Sequence, residues 1–347
     1  MLAPVSAGAI ATVILSSAAF VGAAQAQSPR DVEWNADAAV ALVEAVSSTY
    51  DATTEVGLGS ALTGPGGGTE SVTPSGLVSG EEMPTSDLQG WRLIFTDDFD
   101  EGLPLGNFPT AVSDKWDAYP YPWTGTPTWA IYDPGRTTSF HDGMMDIWMH
   151  TEGGEHLIAA NTPKINGPNA GQGQLYGRYA IRFRTDSFPY YRASFLLWPT
   201  SEVWPSDGEM NFPEGGFDGN IAAYTHWQGG TWGGDQDAFE VDIPIAGPWR
   251  TAVIEWEPGS VKYLLDGALI GHSTSQVPST PMRYVLQNGG SFWTGEAPDV
   301  VQGHVYIDWV SVWAYADPLE PSRTLAAGRE AGVARTSVSP IDSEVPR

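Results

Sequence analysis

The chain's 347 residues suffice for one large domain with appendages or two small ones, and 15 Trp, 13 Tyr, 12 Phe, 40 Gly and 27 Pro suit short strands joined by tight turns. Asp and Glu outnumber Lys and Arg by 42 to 16, and the net charge of −26 repels phosphate backbones, sulfated polymers and anionic bilayers, which excludes nucleic acid as a partner. With no cysteine, neither a disulfide nor a thiolate metal site can form.

In chain order, residues 1–26 read as a secretory signal peptide: the apolar run "AGAIATVILSSAAFVGAAQAQ" ends in the small-x-small site Ala24, Gln25, Ala26, although no basic residue precedes it. The mature protein is therefore expected to be secreted, extracellular, and free of stable membrane insertion. Residues 27–89 form an N-terminal segment and flexible linker. Val40, Val43 and Val46 recur at helical spacing, and "GLGSALTGPGGGTESVTPSG" is linker by composition. Residues 90–317 carry strand signals: "MDIWMH", "YAIRFRT", "ASFLLWP", "AVIEWEP", "VKYLLDG" and "VYIDWVSVWAY" are short β-rich runs bounded by turn residues. They predict an all-β domain of two stacked antiparallel sheets. Asp266 and Gly267, between "VKYLL" and "ALIG", predict a type I′ hairpin turn. Residues 318–347 lack an apolar face and read as a disordered tail.

The stretch "WPSDGEMNFPEGG", Trp204 to Gly216, holds the candidate chemistry. Residues two apart in a strand share a face, so Glu209 and Asn211 point one way while Met210 and Phe212 point into the sandwich. Strict alternation would then bury Glu214. A bulge at Pro213 resets the parity and returns Glu214 to the face of Glu209. In a flat strand the two Cα atoms would lie about 13 Å apart, so a concave sheet is required for the carboxyl groups to converge. A pair about 5–5.5 Å apart suits a double-displacement glycosidase, and Trp204, His226, Trp227 and Trp232 offer flat faces to a sugar. Two solvated glutamates on an outer sheet face remain the plainer alternative.

These residues also carry a resemblance. "WPSDGEMNFPEG" resembles the E-x-D-x-x-E signature and W-P-x-x-G-E lead-in of glycoside hydrolase family 16, the laminarinase-like jelly rolls. "FTDDFD", "DGMMDI", "YGRYAIRFR", "AVIEWEPGSVKYLLDG" and "YIDWVSVWAY" resemble further strands of that family, in order. The resemblance implies a β-sandwich jelly roll with a concave substrate cleft, and a secreted retaining endo-β-glycanase acting on β-1,3-glucan or a related neutral polysaccharide, as a monomer. Glu209 would be the nucleophile and Glu214 the acid/base. Asn211 stands where the family carries aspartate; it can hydrogen-bond Glu209 but cannot hold charge. Trp204, Arg182, His226, Trp227 and Gln287 would touch substrate. No cofactor is required for the reaction, while Asp308, with Gly143 and Asp98 as carbonyl donors, would match a structural calcium site. A carbohydrate-binding jelly roll without catalysis and a transglycosylase of the same fold are the alternatives.

Overall fold

A computed structural model describes residues 79–167 and 173–316. The expected signal peptide, the short N-terminal helix, most of the linker and the tail lie outside the described residues. Among the latter, no helix is long and apolar enough to cross a membrane.

Alternation of apolar and polar side chains, broken by Gly, Pro, Asp and Asn, gives eighteen strands among the described residues. The first nine are β1 (Trp91–Asp97), β2 (Trp116–Ala118), β3 (Ala130–Tyr132), β4 (Thr138–His141), β5 (Met144–Glu152), β6 (Glu155–Ile158), β7 (Ala160–Pro163), β8 (Gly173–Gln174) and β9 (Gly177–Thr185). Then follow β10 (Tyr191–Pro199), β11 (Glu209–Gly216), β12 (Asn220–His226), β13 (Gln236–Pro244), β14 (Arg250–Glu257), β15 (Ser260–Leu265), β16 (Ala268–Ser273), β17 (Met282–Gly290) and β18 (Gly303–Tyr315). One sheet runs β16-β15-β14-β9-β18-β5-β6-β3, with β1 on β18 and β4 on β5; the other runs β13-β12-β11-β10-β17-β7-β2, with β8 on β17. All pairings are antiparallel except β3 with β6. The expected two-sheet, all-β architecture is thus present. So is the hairpin: Leu265 pairs with Ala268, and Asp266 and Gly267 take φ of 49° and 79°, the left-handed conformation a two-residue turn needs.

Rings from the two sheets meet between them, edge to face in the first two of three pairs and tilted in the third. Phe212 of β11 packs on Tyr263 of β15 at 5.6 Å, Phe183 of β9 on Phe195 of β10 at 6.2 Å, and Tyr179 on Tyr284 at 5.3 Å. The Tyr263 hydroxyl, buried with its ring, donates to the Tyr224 carbonyl at 2.7 Å, so the core holds no stranded hydroxyl there.

The linker ends earlier than its composition suggests. Residues 79–86 lie along the outer face of the ten-stranded sheet, where Trp309, Trp313 and Ser311 donate side-chain hydrogen bonds to the carbonyls of Glu81, Ser86 and Pro84. Met83 packs on an outer cluster of Trp91, Ala180, Val253, Trp309 and Trp313. An apolar patch formed by β9, β14 and β18 accounts for this docking. It is assembled from strands distant in sequence, which is why composition placed the boundary at 89.

Candidate active site

The eight-stranded sheet turns one face to the core, through Met210, Phe212, Phe195 and Leu197, and the other to a cleft. Glu209 of β11 pairs in register with His226 of β12, and Asn211 with Tyr224. The register then slips. Glu214 pairs with Ala222 on β12 and with Ser194 on β10, while Asn211 pairs with Leu196, so β11 holds one extra residue between Asn211 and Glu214. That is the bulge expected at Pro213. It brings Glu209, Asn211 and Glu214 to one face, where they are only 2%, 4% and 4% exposed.

The two carboxyl groups live in different surroundings. Glu214 accepts from the Arg192 guanidinium at 2.8 Å through Oε1, and from Asn211 Nδ2 at 2.8 Å through Oε2. Arg192, itself buried, also donates to Ser194 and lies 4.1 Å from the centroid of the Phe292 ring. Glu209 leaves Oε2 buried without a hydrogen-bond partner. Desolvation, reinforced by the neighbouring Glu214 charge, pushes its pKa up to about 8; the nearby Asn211 amide, Trp204 indole and Arg192 only temper the rise. Burial also pushes the His226 pKa down to about 4, so this imidazole is neutral at pH 7 and supplies no cation. Trp204 stacks nearly parallel to Trp198 at 6.3 Å and meets His226 edge-on.

A cavity of about 570 Å³ opens at the Glu214 end, lined by Arg192, Glu214, Tyr224, Glu240, Phe292 and Trp293 among others. Trp293 is 71% exposed there. Gln287 stands on the same face, paired with Ser194, which in turn pairs with Glu214. The sheet therefore gathers Glu209, Asn211, Glu214, Trp204, His226 and Gln287 as the sequence reading expected.

Two other expected contacts fall elsewhere. Arg182 lies on β9 in the ten-stranded sheet, on its outer face, bound to Glu81 at 2.9 Å and to Ser79 and Thr251. It is the ion pair of a surface strand and touches no cleft residue. Trp227 lies just past the end of β12; its indole donates to Asp237 at 3.2 Å, and Asp237 pairs with Thr225, on the core side. The Asn211 amide donates to Glu214 at 2.8 Å as well as acting on Glu209, the partner expected. Arg192 was not singled out at all. Its signal was available: a lone charge opening the otherwise apolar run "YRASFLLWP", of which every residue is buried.

Asp308 sits at a register slip in β18, between Ile307 and Trp309. Its Oδ2 accepts from the Ser79 hydroxyl, and Arg182, which donates to the same hydroxyl, adds a positive charge. Asp98 is near enough to repel it electrostatically, and Gly143 occupies the β4–β5 turn with φ of 70°. Calcium takes six to eight oxygen ligands. The expected site would supply one carboxylate, already bonded to Ser79 beside a guanidinium, together with the carbonyls of Gly143 and Asp98; among the described residues no group of three or more His, Cys, Asp or Glu side chains could hold a metal.

No model of a protein family matches the chain. Curated relatives do: a β-glucanase of Bacillus subtilis is 24% identical over 170 residues, covering 45% of this chain and 68% of that protein. A β-glucanase of Bacillus licheniformis is 21% identical over 228 residues, covering 63% and 81%. These likenesses agree with the resemblance to glycoside hydrolase family 16 carried by the sequence motifs. The chain's fold is that of the solved laminarinase from Rhodothermus marinus, with a TM-score of 0.52 at 20% identity over 65% of this chain and 98% of that one.

Proposed function

We infer that the protein is a secreted, retaining endo-β-glycanase that hydrolyses β-1,3-glucan or a related β-glycan, with Glu209 and Glu214 as its working pair. The observation that carries this reading is the bulge in β11, which turns two buried glutamates and Asn211 to one face of the cleft sheet. Relatives named β-glucanases support the substrate class. In the reaction, a Glu209 carboxylate oxygen attacks the anomeric carbon as the glycosidic C–O bond breaks, and the proton of Glu214 passes to the departing oxygen. Glu214 then takes a proton from water, the water oxygen attacks the anomeric carbon, and the bond to Glu209 breaks. Trp204 and the exposed Trp293, on either side of the pair, give sugar rings flat apolar faces.

Incubation with laminarin tests this. Wild type should release oligosaccharides whose first-formed reducing ends are β-anomers by proton NMR, and Glu209→Gln should lose at least about 10³-fold in kcat. An α-anomer appearing first would refute the double displacement. Binding of laminarin, lichenan, agarose and galactan without cleavage of any would make the protein a carbohydrate-binding jelly roll instead.

A further inference from the structure

The connection after β17 carries an exposed tryptophan on a stiff mount. Gly290, the last residue of β17, has no room for a side chain, since a Cβ there would lie 2.5 Å from the Trp129 ring. The Ser291 amide donates to the Tyr190 carbonyl at 2.6 Å, and the Ser291 hydroxyl accepts from the Trp293 amide at 3.2 Å. Between these anchors Phe292 lies against Arg192, its ring centroid 4.1 Å from the guanidinium carbon. A guanidinium donates hydrogen bonds within its plane and packs on rings across its face. One arginine can therefore hold Glu214 and Phe292 at once.

Trp293 is what this mount presents. It is 71% exposed, and with Phe292 and Arg192 it lines the cavity at the Glu214 end. A ring left so far in water adds little to the core, but on fixed backbone it offers a ligand a flat face with little freedom to lose on binding. Tyr224 of β12 and Glu240 and Asp242 of β13 continue the wall, and their oxygens suit sugar hydroxyls. Flat apolar faces with a few polar groups are the lining of a small-molecule site. We propose that Arg192 and Phe292 are positioning residues for the sugar on the leaving-group side of the cut: together they fix the loop 291–294 so that Trp293 becomes that sugar's platform. The words leaving-group side rest on the hydrolase reading, in which Glu214 serves the departing oxygen; the platform as a sugar contact does not. A platform of this kind holds the sugar ring alike before and during bond breaking, so its loss falls on KM rather than on kcat.

Indole NMR signals of the whole chain carrying Glu209→Gln or Glu214→Gln, either of which keeps a sugar uncut, provide the test, with Trp293→Phe and Trp204→Phe each assigning a signal by its loss. Laminaritetraose, or whichever oligosaccharide of lichenan, agarose or galactan displaces the Trp204 signal, should displace that of Trp293 as well. Phe292→Leu leaves the Arg192–Glu214 pair in place; it should abolish the displacement at Trp293 while that at Trp204 persists, and raise Kd about three- to tenfold. Arg192→Lys, which keeps the charge but loses the flat face, should act in the same direction. With the catalytic pair intact, Phe292→Leu should raise KM by the same factor and change kcat by less than about twofold. Displacement at Trp204 with none at Trp293 would overturn the proposal and leave the hydrolase reading standing, and so would a Trp293 response undiminished in Phe292→Leu. Displacement at Trp293 in a protein whose wild type cuts none of the polymers would keep the platform and remove the hydrolase. An oligosaccharide set that moves neither signal would overturn both.

Discussion

Two arginine–glutamate pairs, one in each sheet, have nearly the same length: Arg192 to Glu214 at 2.8 Å and Arg182 to Glu81 at 2.9 Å. In the cleft the two side chains are 8% and 6% exposed; on the outer face they are 12% and 47%. Water reaches Glu81 and screens its charge, so that pair fastens residues 79–86 to the sheet and does little else. Glu214 is buried in the cleft wall, so there the same contact is screened far less. What a pair does is set by its exposure, which neither its length nor its chemistry reveals.

Substitution sharpens this contrast most strongly at Arg192. Arg192→Met should cost about 3–5 kcal/mol of unfolding free energy at pH 7 by urea denaturation, because it strands a buried carboxylate. A loss under about 1 kcal/mol at pH 7 would show that water reaches Glu214 as freely as Glu81.

The pH dependence of stability gives the next effect. Glu209 ordinarily ionises near 4.5 and does so near 8 in the fold, so the folded protein keeps a proton that the unfolded chain has lost, and stability falls as pH rises between these values. His226 works in the opposite sense: its pKa drops from 6.5 to about 4, so its contribution is present above 6.5 and is lost as pH falls toward 4. The two offset each other between about 4.5 and 6.5, and Glu209 acts alone from 6.5 to 8. Urea midpoints should therefore decline over that upper window in wild type by up to a few kcal/mol equivalent, and stay flat in Glu209→Gln. A decline that survives Glu209→Gln would assign it to another group.

The smallest effect belongs to the outer face. Arg182→Met should lower stability by no more than about 1 kcal/mol and leave laminarin cleavage and its pH profile unchanged. A change in the profile would return Arg182 to the neighbourhood of the cleft and contradict its place on the outer side of β9.

Several of these residues could be read from the sequence because their reasons are local. The alternation around Glu209, the parity conflict at Glu214 and the proline that resolves it all lie within six residues, and the bulge stands where they require it. Asp266 and Gly267 likewise specify their turn alone. Arg182 misled because a strand residue's face can be counted but the layer its strand joins cannot: β9 reads like β10, yet it pairs with β14 and β18 in the other sheet.

The amino-acid sequence by itself determined the all-β class, the bulged strand and the three side chains it presents, since period, turn chemistry and backbone parity act over a few residues. Only the tertiary structure decided which arginine meets a cleft carboxylate, that Asn211 also bonds Glu214, and where the N-terminal linker gives way to docked chain. Those outcomes depend on burial and on pairing between residues far apart in sequence: Arg192 lies 22 positions from Glu214, and Arg182 more than 100 from Ser79. The strength of a charge is set by how much water the assembled fold leaves around it.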